Sequence, residues 1–468
     1  MGRARRRIGV AAASLVLTVG VFALAELAVR IAGVAQPEWP GASWPFSMAK
    51  GDPILGPLPR PGWAGKWMGG FTVAIDPDGF RTTGLPALEA PQARVAFLGD
   101  SCTFGWGLDT PDTFIARLDG QLRADGKAPI ELINAAFPGH SAVLGEQVLR
   151  DRVLPLRPDL VVLGYSANNA FRFSVVTDAD RLRHVGLRRV LLRSRIFYIL
   201  AARLARWTAL GKNPRDTALV NETPAGRLRR VATPDEFAAA ERAAVEDARA
   251  AGAGVLFLIF PRASEVSPAY PGEDPARLAR SSDGDLSGDR PLARGLLEVS
   301  CLDPGPKDVF DELRARLPGW QPVYPDDAAL RAVLVQGART FVSDDFVAAL
   351  DTFRAAVSAW PESPLAHYDL AVAAFMSGDS AAGLHHLGEA ERLSCNVFLR
   401  YQAILWRLAD ELHVPVVDLT LPLQAYDGAP LFIDPAHPNA AAAQIIAGAL
   451  AAPIARQLGP VLAERGAE

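Results

Sequence analysis

The sequence predicts an α/β fold, a doubly wound parallel sheet interrupted by an all-α insert and preceded by an N-terminal transmembrane helix. Three observations carry this. Short apolar runs of strand length alternate with helical stretches, the arrangement of a parallel sheet with helices on both faces. A 34-residue helical period recurs late in the chain. An arginine cluster at the N-terminus precedes an apolar run without charge.

The runs read as strands at 94–98, 130–134, 159–164, 254–260 and 414–418. The first ends in RVAFLGDSCTFGWG (Arg94 to Gly107), where the apolar residues stop at Gly99 and turn residues follow. A strand that ends so abruptly leaves Ser101 exposed at its carboxyl end, where open α/β sheets keep their chemistry. Gly-Asp-Ser by itself is also ordinary turn composition. Three later stretches add weight: INAAFPGHS (Ile133 to Ser141), DLVVLGYSANN (Asp159 to Asn169) and LFIDPAHPNA (Leu431 to Ala440).

In order, these four segments resemble the four sequence blocks of the SGNH/GDSL hydrolases. The resemblance covers Val95 to about Ala170 and about Phe398 to Leu450, with a looser likeness over Asp52 to Arg81. It implies a flavodoxin-like sheet and a serine esterase that works through an acyl-serine intermediate. Position by position, Ser101 matches the nucleophile, Asp434 and His437 complete the triad, and the backbone N–H of Ser101, the backbone N–H of Gly139 and the Asn168 amide match the oxyanion donors. One block departs: where the family usually has Gly-x-Asn-Asp, this chain has Ser166-Ala167-Asn168-Asn169. The donor asparagine is kept, while the glycine and the acid are replaced.

The residue types suit this chemistry independently. A serine hydroxyl needs a base, and a neutral imidazole serves at neutral pH. Asp434, three residues before His437, can reach the other ring nitrogen and fix its tautomer. Asp-x-x-His also occurs in ordinary loops and as a metal-ligand pair, but neither an HExxH string nor a cysteine-pair cluster accompanies it, so no metal and no cofactor are expected. Pro438 is expected to open an Ala-rich helix over about 439–456.

The chain has 468 residues, half of them apolar, which is ample for a full core with additions. A net charge of −4 gives no global argument for a nucleic-acid partner. Three cysteines leave at least one unpaired, and spacing alone does not decide whether Cys301 and Cys395 pair.

The chain divides into 1–35, a membrane anchor or signal segment; 36–93, an extracytoplasmic extension rich in Pro, Gly and Trp; 94–263, the first part of the hydrolase domain; 264–326, a loop-rich insertion with a short helix near 308–317; 327–395, the helical insert; and 396–468, the rest of the hydrolase domain. Ile8 to Leu24 carries no charge and follows Arg3, Arg5, Arg6 and Arg7, so the positive-inside rule puts everything after it outside the cytoplasm. Ala23-Leu24-Ala25 is a cleavage-site pattern, which makes secretion after cleavage the rival reading. Thirteen Arg or Lys between Arg181 and Arg230 face only Asp216 and Glu222, and Leu187 to Leu210 reads as one basic amphipathic helix. A solvated arginine face explains it more simply than contact with anionic lipid or substrate.

In the insert, Ala349, Phe353 and Ala356 recur 34 residues later as Gly383, Leu387 and Ala390, which resembles one and a half to two tetratricopeptide repeats. Two repeats rarely stand alone, so the insert is expected to pack on the hydrolase; a protein partner is a further reading. If it closes on itself, a short flexible linker should replace it without loss of the fold.

The resemblance and the export signal together imply an acyl-ester substrate, with acetyl groups on an envelope or extracellular glycan as the narrower reading. An O-acyltransferase using the same triad is the first alternative. A non-catalytic binding protein whose repeats carry the function is the second.

Overall fold

The structure is a computed structural model, and it describes residues 2–40, 48–67, 70–124, 129–170, 176–207, 229–266, 328–394, 397–426, 430–434 and 436–465. Cys301, Cys395 and nearly all of the loop-rich insertion expected over 264–326, with its helix near 308–317, lie outside the described residues. The chain opens with helix α1 (Gly2–Ile31), followed by two antiparallel hairpins, β1 (Ala49–Asp52) with β2 (Gly56–Pro59) and β3 (Ala64–Trp67) with β4 (Phe71–Ala74). The α/β domain then begins with β5 (Ala93–Gly99), α2 (Ser101–Phe104), α3 (Phe114–Ala124), β6 (Ile130–Asn134), α4 (Ala142–Val148) and β7 (Leu160–Gly164). After it come α5 (Asp178–Leu182), α6 (Val185–Leu192), α7 (Arg195–Trp207), α8 (Pro234–Ala250), β8 (Gly254–Ile259) and α9 (Ala263–Val266).

The helical insert comprises α10 (Ala328–Val342), α11 (Phe346–Ala359), α12 (Pro364–Met376) and α13 (Ser380–Leu393). The domain is completed by α14 (Val397–Leu412), β9 (Val416–Asp418), α15 (Thr420–Gln424) and α16 (Ala440–Arg465).

All five predicted strands are present, in one parallel sheet of order β6-β5-β7-β8-β9. That is the flavodoxin-like order expected, whose topology reverses between β5 and β7. The inner strands β7 and β8 read as continuous apolar runs because both faces are covered, whereas the edge strand β6 carries Glu131. Ala96, Leu98, Val161 and Leu163 pack toward α4, α8 and α14, while Val95, Phe97, Leu160 and Val162 pack toward α3 and α16. Alternate residues thus feed two cores from one strand.

Three local expectations are corrected. The C-terminal helix starts at Ala440, because the Asn439 side chain caps it by accepting from the Ala441 and Ala442 N–H groups at 3.0 and 3.1 Å. Its length runs past Pro453 and Pro460 to Arg465. By length and composition this helix could cross a membrane, yet Ala442, Ala443, Ile446, Ala447, Leu450 and Ile454 bury one face in the sheet core. The basic stretch, finally, forms two helices where one was expected. Ser194 separates α6 from α7 and accepts from the Phe197 N–H at 3.1 Å.

The insert forms two helical hairpins, and its 34-residue offset relates α11 to α13. Its apolar face is continuous with the sheet core: Leu334, Phe353 and Leu387 belong to the same cluster as Ala96 and Val161. Tyr368 of α12 donates to Asp418 Oδ2 at 2.7 Å, and Phe375 stacks on Trp406 of α14 with centroids 4.5 Å apart.

Candidate active site

Ser101, Gly139 and Asn168 follow the carboxyl ends of β5, β6 and β7, three neighbours in the sheet. This is the topological switch point, where the diverging crossovers open a crevice. Ser101 is the first residue of α2, and buried Asp100 caps that short helix by accepting from the Cys102 N–H at 2.9 Å. Close packing forces the glycine before it. A Cβ on Gly99 would lie 2.1 Å from Thr103 Oγ1 and 2.5 Å from the Gly164 carbonyl oxygen, where Thr103 donates to Gly164 at 2.7 Å.

His437 comes from the loop between α15 and α16. Its Nε2 is 2.8 Å from Ser101 Oγ and its Nδ1 is 2.6 Å from Asp434 Oδ2. The other carboxylate oxygen of Asp434 accepts from the Ala436 and His437 N–H groups, both at 2.9 Å. The same three-residue spacing therefore builds the turn and presents the carboxylate to the ring. On the far side of that turn the Ile433 N–H donates to the His437 carbonyl at 2.8 Å.

Burial works against charge on His437, but the Asp434 carboxylate and, more weakly, Asp100 outweigh it and raise its pKa above the ordinary histidine value. For Asp434, burial would raise the carboxyl; the facing imidazole and the two N–H donors win, and its pKa is lowered. Cys102 is a buried free thiol whose pKa burial pushes well up. It donates to the Ala436 carbonyl at 3.3 Å.

Gly139 has φ +81°, a conformation that favours glycine. Asn168 is buried on a turn of 3-10 helix (Ala167–Asn169), and its amide reaches the His140 carbonyl only at 3.5 Å. The departures in this block carry structural bonds. Ser166 donates to Asp100 Oδ2 through its N–H at 3.0 Å and its hydroxyl at 2.8 Å. Asn169 accepts from the Ala142 N–H at 2.9 Å at the start of α4 and donates to the Ser166 carbonyl at 3.2 Å.

Two residues that the sequence reading missed frame the site. Trp106 stacks on the His437 ring, centroids 5.6 Å apart and planes 25° apart, and is held edge-on by Trp67 of β3. Arg81 is buried, and its guanidinium donates to the carbonyls of Phe104, Gly105 and Leu108 at 2.9, 2.8 and 2.7 Å, clamping the loop that carries Trp106. Burial lowers its pKa to about 9. Among the described residues no group of three or more His, Cys, Asp or Glu could hold a metal ion.

Residues 97–286 match the GDSL-like Lipase/Acylhydrolase family. The chain therefore carries a domain of that family, and its class is that of a serine hydrolase of esterase type. The match ends before Asp434 and His437, so those two rest on the geometry above. Among solved structures, the chain is similar to an acetyl xylan esterase, AlAXEase, at 13% identity over 77% of this chain and 99% of that one, with a TM-score of 0.33. It is similar to the lipase/acylhydrolase from Enterococcus faecalis at 11% identity over 77% and 95%, TM-score 0.32. With TesA it shares 21% identity over 35% of this chain and 59% of that chain, TM-score 0.21. A comparison with curated protein sequences finds no match.

Proposed function

We propose that the protein is an exported, membrane-tethered esterase in which Ser101, His437 and Asp434 form the catalytic triad and Gly139 and Asn168 contribute to the oxyanion hole. The observation that carries this reading is the continuous relay from Asp434 through His437 to Ser101, at 2.6 and 2.8 Å. Ser101 Oγ attacks the ester carbonyl carbon as His437 Nε2 takes its proton. The oxyanion is met by the N–H groups of Ser101 and Gly139 and by the Asn168 amide, each such donor contributing about 3 kcal/mol to the barrier reduction. His437 then protonates the leaving alcohol, and water, activated by the same nitrogen, releases the acid from acyl-Ser101. Asp434 holds the ring and stabilises the imidazolium.

Export is supported by the uncharged run inside α1, whose Val16, Leu17, Val19 and Leu24 are exposed on a helix of 30 residues. An apolar helix left uncovered by its own chain fits hydrocarbon better than water. With the domain outside the cytoplasm, acetyl esters of an envelope or extracellular glycan are the proposed substrates. The insert, with its 34-residue offset, is read as tetratricopeptide-like, and its outer face as a place for a protein partner.

The test is direct. A fluorophosphonate should label the full chain at one site, Ser101, and Ser101→Ala should abolish both labelling and release of acetate from acetylated glycans. Labelling at another serine, or undiminished turnover by a folded Ser101→Ala protein, would overturn the mechanism. Transfer of acetyl to an added acceptor sugar, with little free acetate, would make the protein a transferase.

A further inference from the structure

We infer that α6 and α7 form a membrane-surface element: α7 lies along the bilayer interface beside the end of α1, with an apolar stripe in the lipid and arginines at anionic headgroups. The inference rests on the reading of α1 as the membrane anchor. Its first observation is a joint between the two. The Glu26 carboxylate accepts from Ser194 Oγ at 2.9 Å and from the Arg195 and Ile196 N–H groups at 2.8 and 3.0 Å, so a residue of α1 caps the N-terminus of α7. Arg30 completes the joint by donating to the Arg193 carbonyl at 2.8 Å.

The position of this joint sets the depth. Glu26 comes two residues after Leu24, about 3 Å further along a helix axis. If Ile8 to Leu24 lies in hydrocarbon, α7 starts at headgroup level. A second set of contacts keeps α7 near the tether: Tyr198 meets Trp39 edge-on at 5.8 Å, and Arg206 donates to the Glu38 carbonyl at 3.4 Å.

The third observation is the face left over. Ala202 and Ala205 are buried, whereas Phe197, Leu200 and Leu204, spaced i, i+3, i+7 on one stripe, are 37%, 59% and 54% exposed. On α6, Leu187 and Val190 are exposed as well. A solvated arginine face, the simpler reading of the sequence, accounts for Arg193, Arg203 and Arg206 but not for large apolar residues exposed between them. An apolar stripe flanked by arginines is what an interfacial helix needs, the stripe for the acyl boundary and the guanidinium groups for phosphate. Continuity with α1 selects the bilayer over a soluble partner. The consequence is that the hydrolase domain is held at two points, so that it cannot turn freely on its tether.

The test uses the full chain in lipid vesicles, with Cys301 and Cys395 replaced by serine and single spin labels introduced at Val19→Cys, Leu204→Cys and, on the exposed insert surface, Val347→Cys. Collisions with lipid-soluble oxygen and with a water-soluble nickel chelate are compared, and turnover of a small soluble ester verifies the fold of each protein. The expected result is a Leu204 label that favours oxygen severalfold over the Val347 label in vesicles containing phosphatidylglycerol. That preference should fall in purely zwitterionic vesicles and in the Arg203→Glu, Arg206→Glu protein. An aqueous label at Leu204 with a lipid-exposed label at Val19 would overturn the inference and leave the anchor standing. Shielding of Leu204 from both reagents would mean a covering protein, a second copy included, and would overturn it too. An aqueous Val19 label would remove the anchor and this inference with it. Should Leu204→Cys fail to fold, Leu200→Cys reports on the same stripe.

Discussion

Replacing residues 328–394 by a short flexible linker should unfold the hydrolase, because the insert completes its core. Its removal strips Trp406 of the stacked Phe375 ring, uncovers the α15 surface that carries Leu421, and takes the Tyr368 hydroxyl from buried Asp418. Uncovering each of the two apolar side chains costs roughly 1.5–3 kcal/mol. The lost hydrogen bond to the carboxyl group costs a similar amount. Together that is roughly 5–9 kcal/mol, against a total stability of about 5–15 kcal/mol for a typical domain. Asp418 would keep Trp406 Nε1 at 3.0 Å and the Thr420 N–H at 2.8 Å. Urea titration followed by tryptophan fluorescence, with turnover of a small soluble ester, measures the effect. Tyr368→Phe is the graded control and should lower stability by about 1.5–3 kcal/mol without a change in kcat. A linker protein that unfolds at the parent midpoint and turns over the ester at the parent rate would refute the reasoning and make the insert an accessory module.

Further outcomes follow from the site and the core. In the proposed mechanism His437 must be neutral to act as base, and its pKa is raised, so the acid limb of kcat/KM should lie above the ordinary histidine value, activity falling as pH drops through it; Asp434→Asn should move that limb to lower pH and cut kcat by roughly 10⁴. As a proposed oxyanion donor, Asn168 would act on charge developed in the transition state, so Asn168→Ala should lower kcat by about a hundredfold or more with KM nearly unchanged; an effect confined to KM would assign it to substrate binding. Glu241 is buried, neither carboxylate oxygen has a hydrogen-bond partner among the described residues, and burial raises its pKa to about 8. The folded state therefore holds a proton that the unfolded state releases between about pH 4.5 and 8, so stability falls by roughly 1.4 kcal/mol per pH unit across that window. Thermal melts should show Glu241→Gln gaining on the parent as pH rises; parallel curves would mean that Glu241 does not titrate there.

What the sequence showed clearly was the part written in local pattern. Strands flanked by turn residues announce themselves because both faces are apolar, and Asp434 reaches His437 through a turn three residues long. Contacts made by chain groups common to every residue were hidden. Arg81 binds three backbone carbonyls, which no sequence pattern marks, and it ends a stretch, Asp52 to Arg81, that read only as a loose family likeness. Trp106 meets His437 from the opposite end of the domain, so nothing near either residue signals the pair. The break between α6 and α7 depends on Glu26, 168 residues before Ser194. Helical period alone cannot reveal a cap that arrives from so far away.

The third block shows how a departure from a family pattern can be absorbed. An acid at 169 could accept the Ala142 N–H, as the Asn169 side-chain oxygen does, but it could not donate to the Ser166 carbonyl and would set a charge against that oxygen. The amide serves both partners. At 166 the hydroxyl adds a second donor to the backbone N–H on Asp100, a buried carboxyl whose pKa burial raises and these donors hold down. Asp100 in turn caps the helix that starts at Ser101. Two substitutions thus fasten the end of β7 to α4 on one side and to the start of α2 on the other. Asn168, between them in sequence, needs no glycine before it and no acid after it to remain at the strand end.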